Sequence, residues 1–196
     1  IDSEVSDTEA VVSTIVSDNY DAGVQCAKDM MKKKTSANII IVNQKALNSI
    51  NERVKGFRDT IKGHPQYKIV EEKESAAQFE IAMKVMEEII YEKKNYDVVM
   101  GGNDPIALGC IAAMQMTDKT DQVMVYGVDG SPDGKAMIKA GFLEGTAAQS
   151  PIKIGEKAVQ TAYSYLAGET VKKHVTIPVE LITADNLKLY DMTGWQ

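Results

Sequence analysis

The sequence predicts an α/β fold with a doubly wound, mostly parallel sheet, and three observations carry that prediction. Strand-like apolar runs alternate with segments of helical period along most of the chain. Two runs, Ile39-Ile40-Ile41-Val42 and Val98-Val99-Met100, are apolar on both sides, as the central strands of a covered parallel sheet are. Three strand ends pass directly into a helix start marked by proline: Asn103-Asp104-Pro105, Asp129-Gly130-Ser131-Pro132 and Gln149-Ser150-Pro151.

The elements follow from these patterns. Strands are expected at Thr14–Val16, Asn38–Val42, Tyr67–Glu71, Asp97–Gly101, Val123–Val128 and Gly145–Ala148. Helices are expected at Asn19–Lys33, Ser49–Lys62, Ser75–Lys93, Pro105–Met116 and Pro132–Ala140. In the third helix Ile81, Val85, Met86, Ile89 and Ile90 make one broad apolar face. Glu71-Glu72-Lys73-Glu74 reads as a solvated turn rather than a metal site. After Ala148 come a helix, Pro151–Leu166, with Ile154, Ala158, Ala162 and Tyr165 on its apolar side, and a C-cap at Ala167-Gly168. Short strands at Val175–Pro178 and Val179–Ile182 follow, then a terminal helix from about Ala184.

The three strand ends share one grammar. A polar residue closes the strand, an N-cap follows (Asp104, Ser131, Ser150), and proline takes the first helical position, where its fixed φ suits the helix and its missing N–H has no role. The caps thus have a structural task, whereas Asn103, Asp129 and Gln149 have none that is obvious. Ligands of open α/β sheets bind outside the carboxyl ends of the strands. Two amides and a carboxylate aimed into one crevice suit a neutral polyol, because the carboxylate accepts from vicinal hydroxyls and amides both donate and accept. Each residue alone also fits an ordinary turn. Arg53, early in the helix after Asn38–Val42, is a fourth candidate. Its planar donors suit a ring or anomeric oxygen, while its spacing equally fits a surface residue.

Composition narrows the alternatives. The 196 residues carry 22 Lys+Arg and 28 Asp+Glu, a net charge of −6. This balance argues against a nucleic-acid partner, which needs a basic face. A hydrophobic share of 44% is that of a globular chain of one large or two small domains. No apolar run approaches the roughly 18 residues of a membrane span. Two cysteines, Cys26 and Cys110, are too few for a disulfide scaffold or a zinc site, and both read as small core residues, with a disulfide between them left open. His64 and His174 have no nucleophile or carboxylate at motif spacing. Trp195 is expected to dock the C-terminal tail, with sugar stacking as the other reading. The Gly101-Gly102 and Asp129-Gly130 segments lack the lysine of a phosphate loop, and no cofactor is expected.

Several stretches together resemble the sugar-binding proteins of periplasmic type, the ribose/galactose-like group that feeds ABC importers. They are Val16–Gly23, Glu52–Phe57, Gly102–Gly109, Gly127–Gly134, Ala148–Gly155 and Pro178–Thr183. The resemblance implies that Arg53, Asn103, Asp129 and Gln149 contact a sugar, and adds Asp2 at the end of the opening strand. It implies two doubly wound lobes: a complete one from 18–149 plus 180–196, and a remnant of the other from 1–17 and 150–179. Roughly 100 further residues of that second lobe are expected before Ile1, since the chain opens Ile1-Asp2-Ser3-Glu4 without an initiator Met. The apolar faces of the remnant are then expected to be covered by that missing lobe, by a swapped second copy or by rearrangement. Two departures, Ser3 where ribose binders carry Arg and Ala77 where they carry an aromatic residue, point away from ribose and leave a monosaccharide-sized polyol.

The implied role is an extracytoplasmic binding protein, periplasmic or lipid-anchored, whose partners are a monosaccharide and an ABC permease. A sugar-responsive regulator or receptor-kinase sensor shares the fold and is the alternative. An enzyme is not expected, as no nucleophile–base pair, metal cluster or cofactor loop is visible.

Overall fold

The computed structural model describes residues 1–5, 7–117 and 123–195. Gln196, assigned above to the complete lobe, lies outside them. In order, the elements are β1 (Thr14–Ser17), α1 (Asn19–Lys33), β2 (Ala37–Asn43), α2 (Asn48–Ile61), β3 (Tyr67–Glu74), α3 (Phe79–Tyr91), β4 (Val98–Gly101) and α4 (Asp104–Gln115). They continue with β5 (Met124–Asp129), α5 (Pro132–Ala140), β6 (Gly145–Ala148), α6 (Pro151–Leu166), β7 (His174–Ile177) and β8 (Glu180–Thr183).

Six strands form one sheet in the order β3-β2-β4-β5-β6-β8. All neighbours are parallel except β8, which runs antiparallel to β6. Ile39–Val42 and Val98–Met100 have no exposed surface, so the two apolar runs are the middle of the sheet. Helix α1 packs on β5, β6 and β8 and pairs with α2, while α4 packs on β2, β4 and β5 and pairs with α3 and α5. The chain moves outward from β2 to β3, then crosses back to β4 on the other side of β2. The order therefore reverses between β2 and β4, and the crevice at their carboxyl ends is the switch point of the sheet. Strands β1 and β7 make a separate two-stranded parallel sheet. Helix α6 lies against it through Ile154 and Ala158, which pack on Ile15 and Ile177.

Several elements depart from expectation. Glu71-Glu72-Lys73-Glu74 belongs to β3, not a turn. β3 is an edge strand, and its charges pair with neighbours: Glu71 with Lys94, Glu72 with Arg58 and Asn43, and Lys73 with Glu92. A charged edge resists pairing with a second chain. Helix α3 starts at Phe79 rather than Ser75, because Ala76 (φ 48°) and Ala77 (φ 55°) are left-handed. Its buried face is Ala82, Met86 and Ile89, with Ile81 exposed. On α6, Tyr165 and Ala162 are exposed, as are Val159, Tyr163 and Leu166. The terminal helix expected from Ala184 is only a 3₁₀ turn over Leu187–Leu189. The segment is tied down by other bonds: the Asn186 side chain accepts from Thr183 N and donates to the Leu181 carbonyl, and the buried Lys135 ammonium donates to the carbonyls of Asp191 and Gly194.

Two glycines let α1 and α2 cross closely. A Cβ on Gly23 would sit 1.8 Å from the Arg53 carbonyl oxygen, and one on Gly56 would sit 2.0 Å from that of Tyr20. Gly155 on α6 faces open space. Gly23→Ala should therefore cost about 2–3 kcal/mol by overpacking. Gly155→Ala should be neutral or gain up to about 1 kcal/mol of helix propensity. Urea denaturation of the two variants checks the contrast, and equal midpoints would contradict it.

Candidate functional site

The site is built where β2, β4, β5 and β6 end. Arg53 lies in the second turn of α2, and at 4% exposure it is not the surface residue that its spacing also allowed. Its Nε donates to Asn19 Oδ1 at 2.8 Å and its Nη1 to the Gly102 carbonyl at 2.9 Å. The close crossing of α1 and α2 brings Asn19 within reach, and Gly102 stands at the end of β4. The guanidinium thus spans the switch point between β2 and β4.

Asp129 ends β5. One of its carboxylate oxygens, Oδ1, lies 3.6 Å from Arg53 Nη1 and accepts from Gln149 Nε2 at 2.7 Å. Gln149, just past β6, accepts from Ser17 Oγ at 2.8 Å through its Oε1. A continuous polar chain therefore runs Asn19–Arg53–Asp129–Gln149–Ser17 and joins both sheets. Asp129 has φ 147°, a conformation costly for a side-chain residue, held by the Gln149 N–H on its carbonyl and by the β5–β6 pairing.

Asn103 sits at the same rim with a structural task after all. It is the N-cap of α4, its Oδ1 accepting from Ile106 N at 3.0 Å. Asp104, read from the sequence as that cap, is instead the first helical residue, and its carboxylate is buried. Ser131 caps α5 as expected, bonding Gly134 N, whereas Ser150 makes no side-chain cap bond. Asp2 is exposed, with φ 66°, and its N–H donates to the Ile15 carbonyl beside β1. It borders two crevices. One, of about 230 Å³, has Ser17, Asn19 and Glu52 in its wall; the other, of about 280 Å³, has Gln149 and Trp195. Trp195 is half exposed on a tail anchored by Lys135. Ser17, Asn19, Asp104 and Thr146, which donates to Asp104, were not singled out from the sequence: the cap-like spacing of Asp104 pointed elsewhere, Ser17 and Asn19 sit unmarked within the Val16–Gly23 stretch, and Thr146 carries no motif.

The electrostatics are set by one cation among carboxylates. Burial lowers the Arg53 pKa, while Asp129, Asp104 and Asp2 oppose that shift. Burial raises Asp129, up to about 7; Arg53 pulls it down, Asp104 pushes it up, and bonds from Gln149 and the Asp104 backbone pull it down again. Asp104 is also raised by burial, against its bonds to Ser131 and Thr146. Burial pushes the Cys26 thiol up strongly and Cys110 up to about 12, so both are inert core residues. No group of three or more metal-ligating side chains occurs among the described residues, and no helix there is long and apolar enough to cross a membrane.

Chemically, this rim offers acceptors on Asp129 and Gln149 and donors on Arg53 and Gln149, all fixed before a ligand arrives. The family model of the periplasmic binding protein domain matches residues 1–170. The ribose import binding protein of Salmonella typhimurium is 31% identical over 175 residues, covering 88% of this chain and 58% of the relative. The D-apiose import binding protein of Paraburkholderia graminis is 31% identical over 196 residues, covering 98% of this chain and 62% of the relative. An ABC transporter solute-binding protein of Bacillus halodurans, solved with bound myo-inositol, superposes with a TM-score of 0.90 at 25% identity, covering 96% of this chain and 66% of that one. The chain thus spans about three-fifths of the length of the curated relatives it matches. In sequence and in fold, this chain belongs to the periplasmic binding protein domain family.

Proposed function

We propose that the chain carries one wall of a monosaccharide site, in an extracytoplasmic binding protein that captures a sugar between two lobes and delivers it to an ABC importer. The observation that carries this reading is the Arg53–Asp129–Gln149 chain at the switch point. It is a neutral-polyol site in chemical terms: charge-assisted acceptors for vicinal hydroxyls, a fixed guanidinium for a ring oxygen, and nothing that performs covalent chemistry. Asn103 at the β4 rim and Asp2 beside β1 complete the proposed set of contacts. The names of the relatives support the class of ligand.

In this reading residues 18–149 and 180–196 form one lobe, and residues 1–17 and 150–179 belong to the other. The separation of β1, β7 and α6 from the six-stranded sheet supports that division. Sugar would favour closure because only the closed form contacts it from both sides.

Calorimetry with D-ribose, D-allose, D-apiose and myo-inositol, on the protein carrying this sequence, tests the site. Asp129→Asn and Arg53→Lys keep most of the volume, and each should weaken binding about tenfold to a hundredfold by removing charge-assisted or bidentate bonds. Wild-type affinity in both variants would remove these residues from the site.

Binding should also weaken in acid. A polyol that donates to Asp129 favours its ionised form, so binding releases a proton below the pKa near 7. The charged groups facing Asp129 are Arg53 from α2, Asp104 from α4 and, through Arg53, Asp2 beside β1. Affinity should fall about tenfold between pH 8 and pH 6, with proton release measurable in buffers of different ionisation enthalpy. A flat profile would show that ligand does not depend on ionised Asp129.

A further inference from the structure

Asp104 has no exposed surface, yet its carboxylate gathers three donors, two from Ser131 at the start of α5 and one from Thr146 in β6. Oδ2 accepts from Ser131 N at 2.9 Å and Ser131 Oγ at 2.6 Å, and Oδ1 accepts from Thr146 Oγ1 at 2.6 Å. Both hydroxyls then accept in turn: Thr146 Oγ1 from Gly130 N at 3.0 Å and Ser131 Oγ from Gly134 N at 2.9 Å. The carboxylate lies in a socket with glycine walls. A Cβ on Gly127 would fall 2.5 Å from Oδ1, and one on Gly134 would fall 2.5 Å from Oδ2.

Burying a carboxylate beside a second one is costly. A helix cap or a packing role alone does not require it, since Asn103 already caps α4 and Ser131 caps α5. What the carboxylate alone supplies is acceptance on both oxygens, which an amide cannot match. The segment it holds includes a strained residue, Asp129 at φ 147°, followed by Gly130 at φ 70°, which glycine adopts freely.

We propose that Asp104 is the positioning residue of this site, bolting the start of α4 to β6 and to the β5–α5 turn so that Asp129 keeps its strained backbone and its carboxylate faces Arg53 and Gln149. The inference deepens the polyol reading above and rests on it for the ligand, though not for the geometry.

The test uses the protein carrying this sequence with Thr146→Val, Thr146→Ser and Asp104→Asn, none at a proposed sugar contact. Thr146→Val removes the hydroxyl that relays Asp104 to Gly130, and Thr146→Ser keeps it. Binding of D-ribose, D-allose and myo-inositol should fall about tenfold or more in Thr146→Val, the loss of a hydrogen-bonded support, and return to within about twofold in Thr146→Ser. Asp104→Asn separates charge from position. Removing a neighbouring negative charge should lower the midpoint of the Asp129 carboxyl titration, read by ¹³C NMR, and by charge alone would strengthen binding near neutrality. A positioning role requires weaker binding despite that lower midpoint. Wild-type affinity in both Thr146→Val and Asp104→Asn, with the Gly130 amide and Gln149 side-chain amide resonances unmoved, would overturn the proposal. If Asp104→Asn fails to fold, the Thr146 pair decides. If the wild type binds none of the three sugars, the polyol reading fails, and the same resonances, moved in Thr146→Val and restored in Thr146→Ser, still decide the role of Asp104.

Discussion

A guanidinium that is almost wholly buried governs this structure. Arg53 cannot shed its charge, so its surroundings must meet it. The Gly102 carbonyl, the Asn19 amide oxygen and the Asp129 carboxylate do so. Those partners come from the end of β4, the start of α1 and the end of β5. Their convergence requires α1 and α2 to cross at backbone contact, which Gly23 and Gly56 permit. The position of Arg53 is thus a consequence of how the helices pack, and the helix packing is in turn constrained by the need to satisfy Arg53.

Around that cation the carboxylates outnumber it. Asp129 and Asp104 are both buried enough for their proton affinity to rise, and Asp104 adds to the cost of ionising Asp129. A rim of this kind has acceptor capacity to spare. The proposed polyol ligand would relieve it, because each hydroxyl can donate to a carboxylate and accept from the guanidinium.

Much of this was legible in the sequence. The apolar runs of β2 and β4 located the centre of the sheet because a strand covered on both faces has no polar side to show. Proline at the starts of α4, α5 and α6 located the rim, because proline is favoured there and disfavoured in the strands beside it. What stayed hidden depended on distance in space rather than along the chain. Asp104 and Asn103 both suit a cap, and only the fold shows which one points inward. The β3 charges looked like a turn because an edge strand has few apolar positions, and the terminal segment looked helical because nothing in it reveals that Lys135 holds its carbonyls. Arg53 had a ligand-contact and a surface reading, and its burial, which removes the second, depends on helix packing that no local pattern records.

The glycine-walled socket has an evolutionary consequence. Gly127 and Gly134 are not free to acquire side chains while Asp104 keeps its carboxylate, and Gly130 is held by φ 70° and by Ala148, only 2.4 Å from where its Cβ would stand. Single substitutions at any of these positions meet a clash that only a compensating change elsewhere could remove. Gly127 and Gly134 are thus tied to the Asp104 carboxylate, and Gly130 to Ala148. Change that leaves this frame intact must therefore fall on other residues.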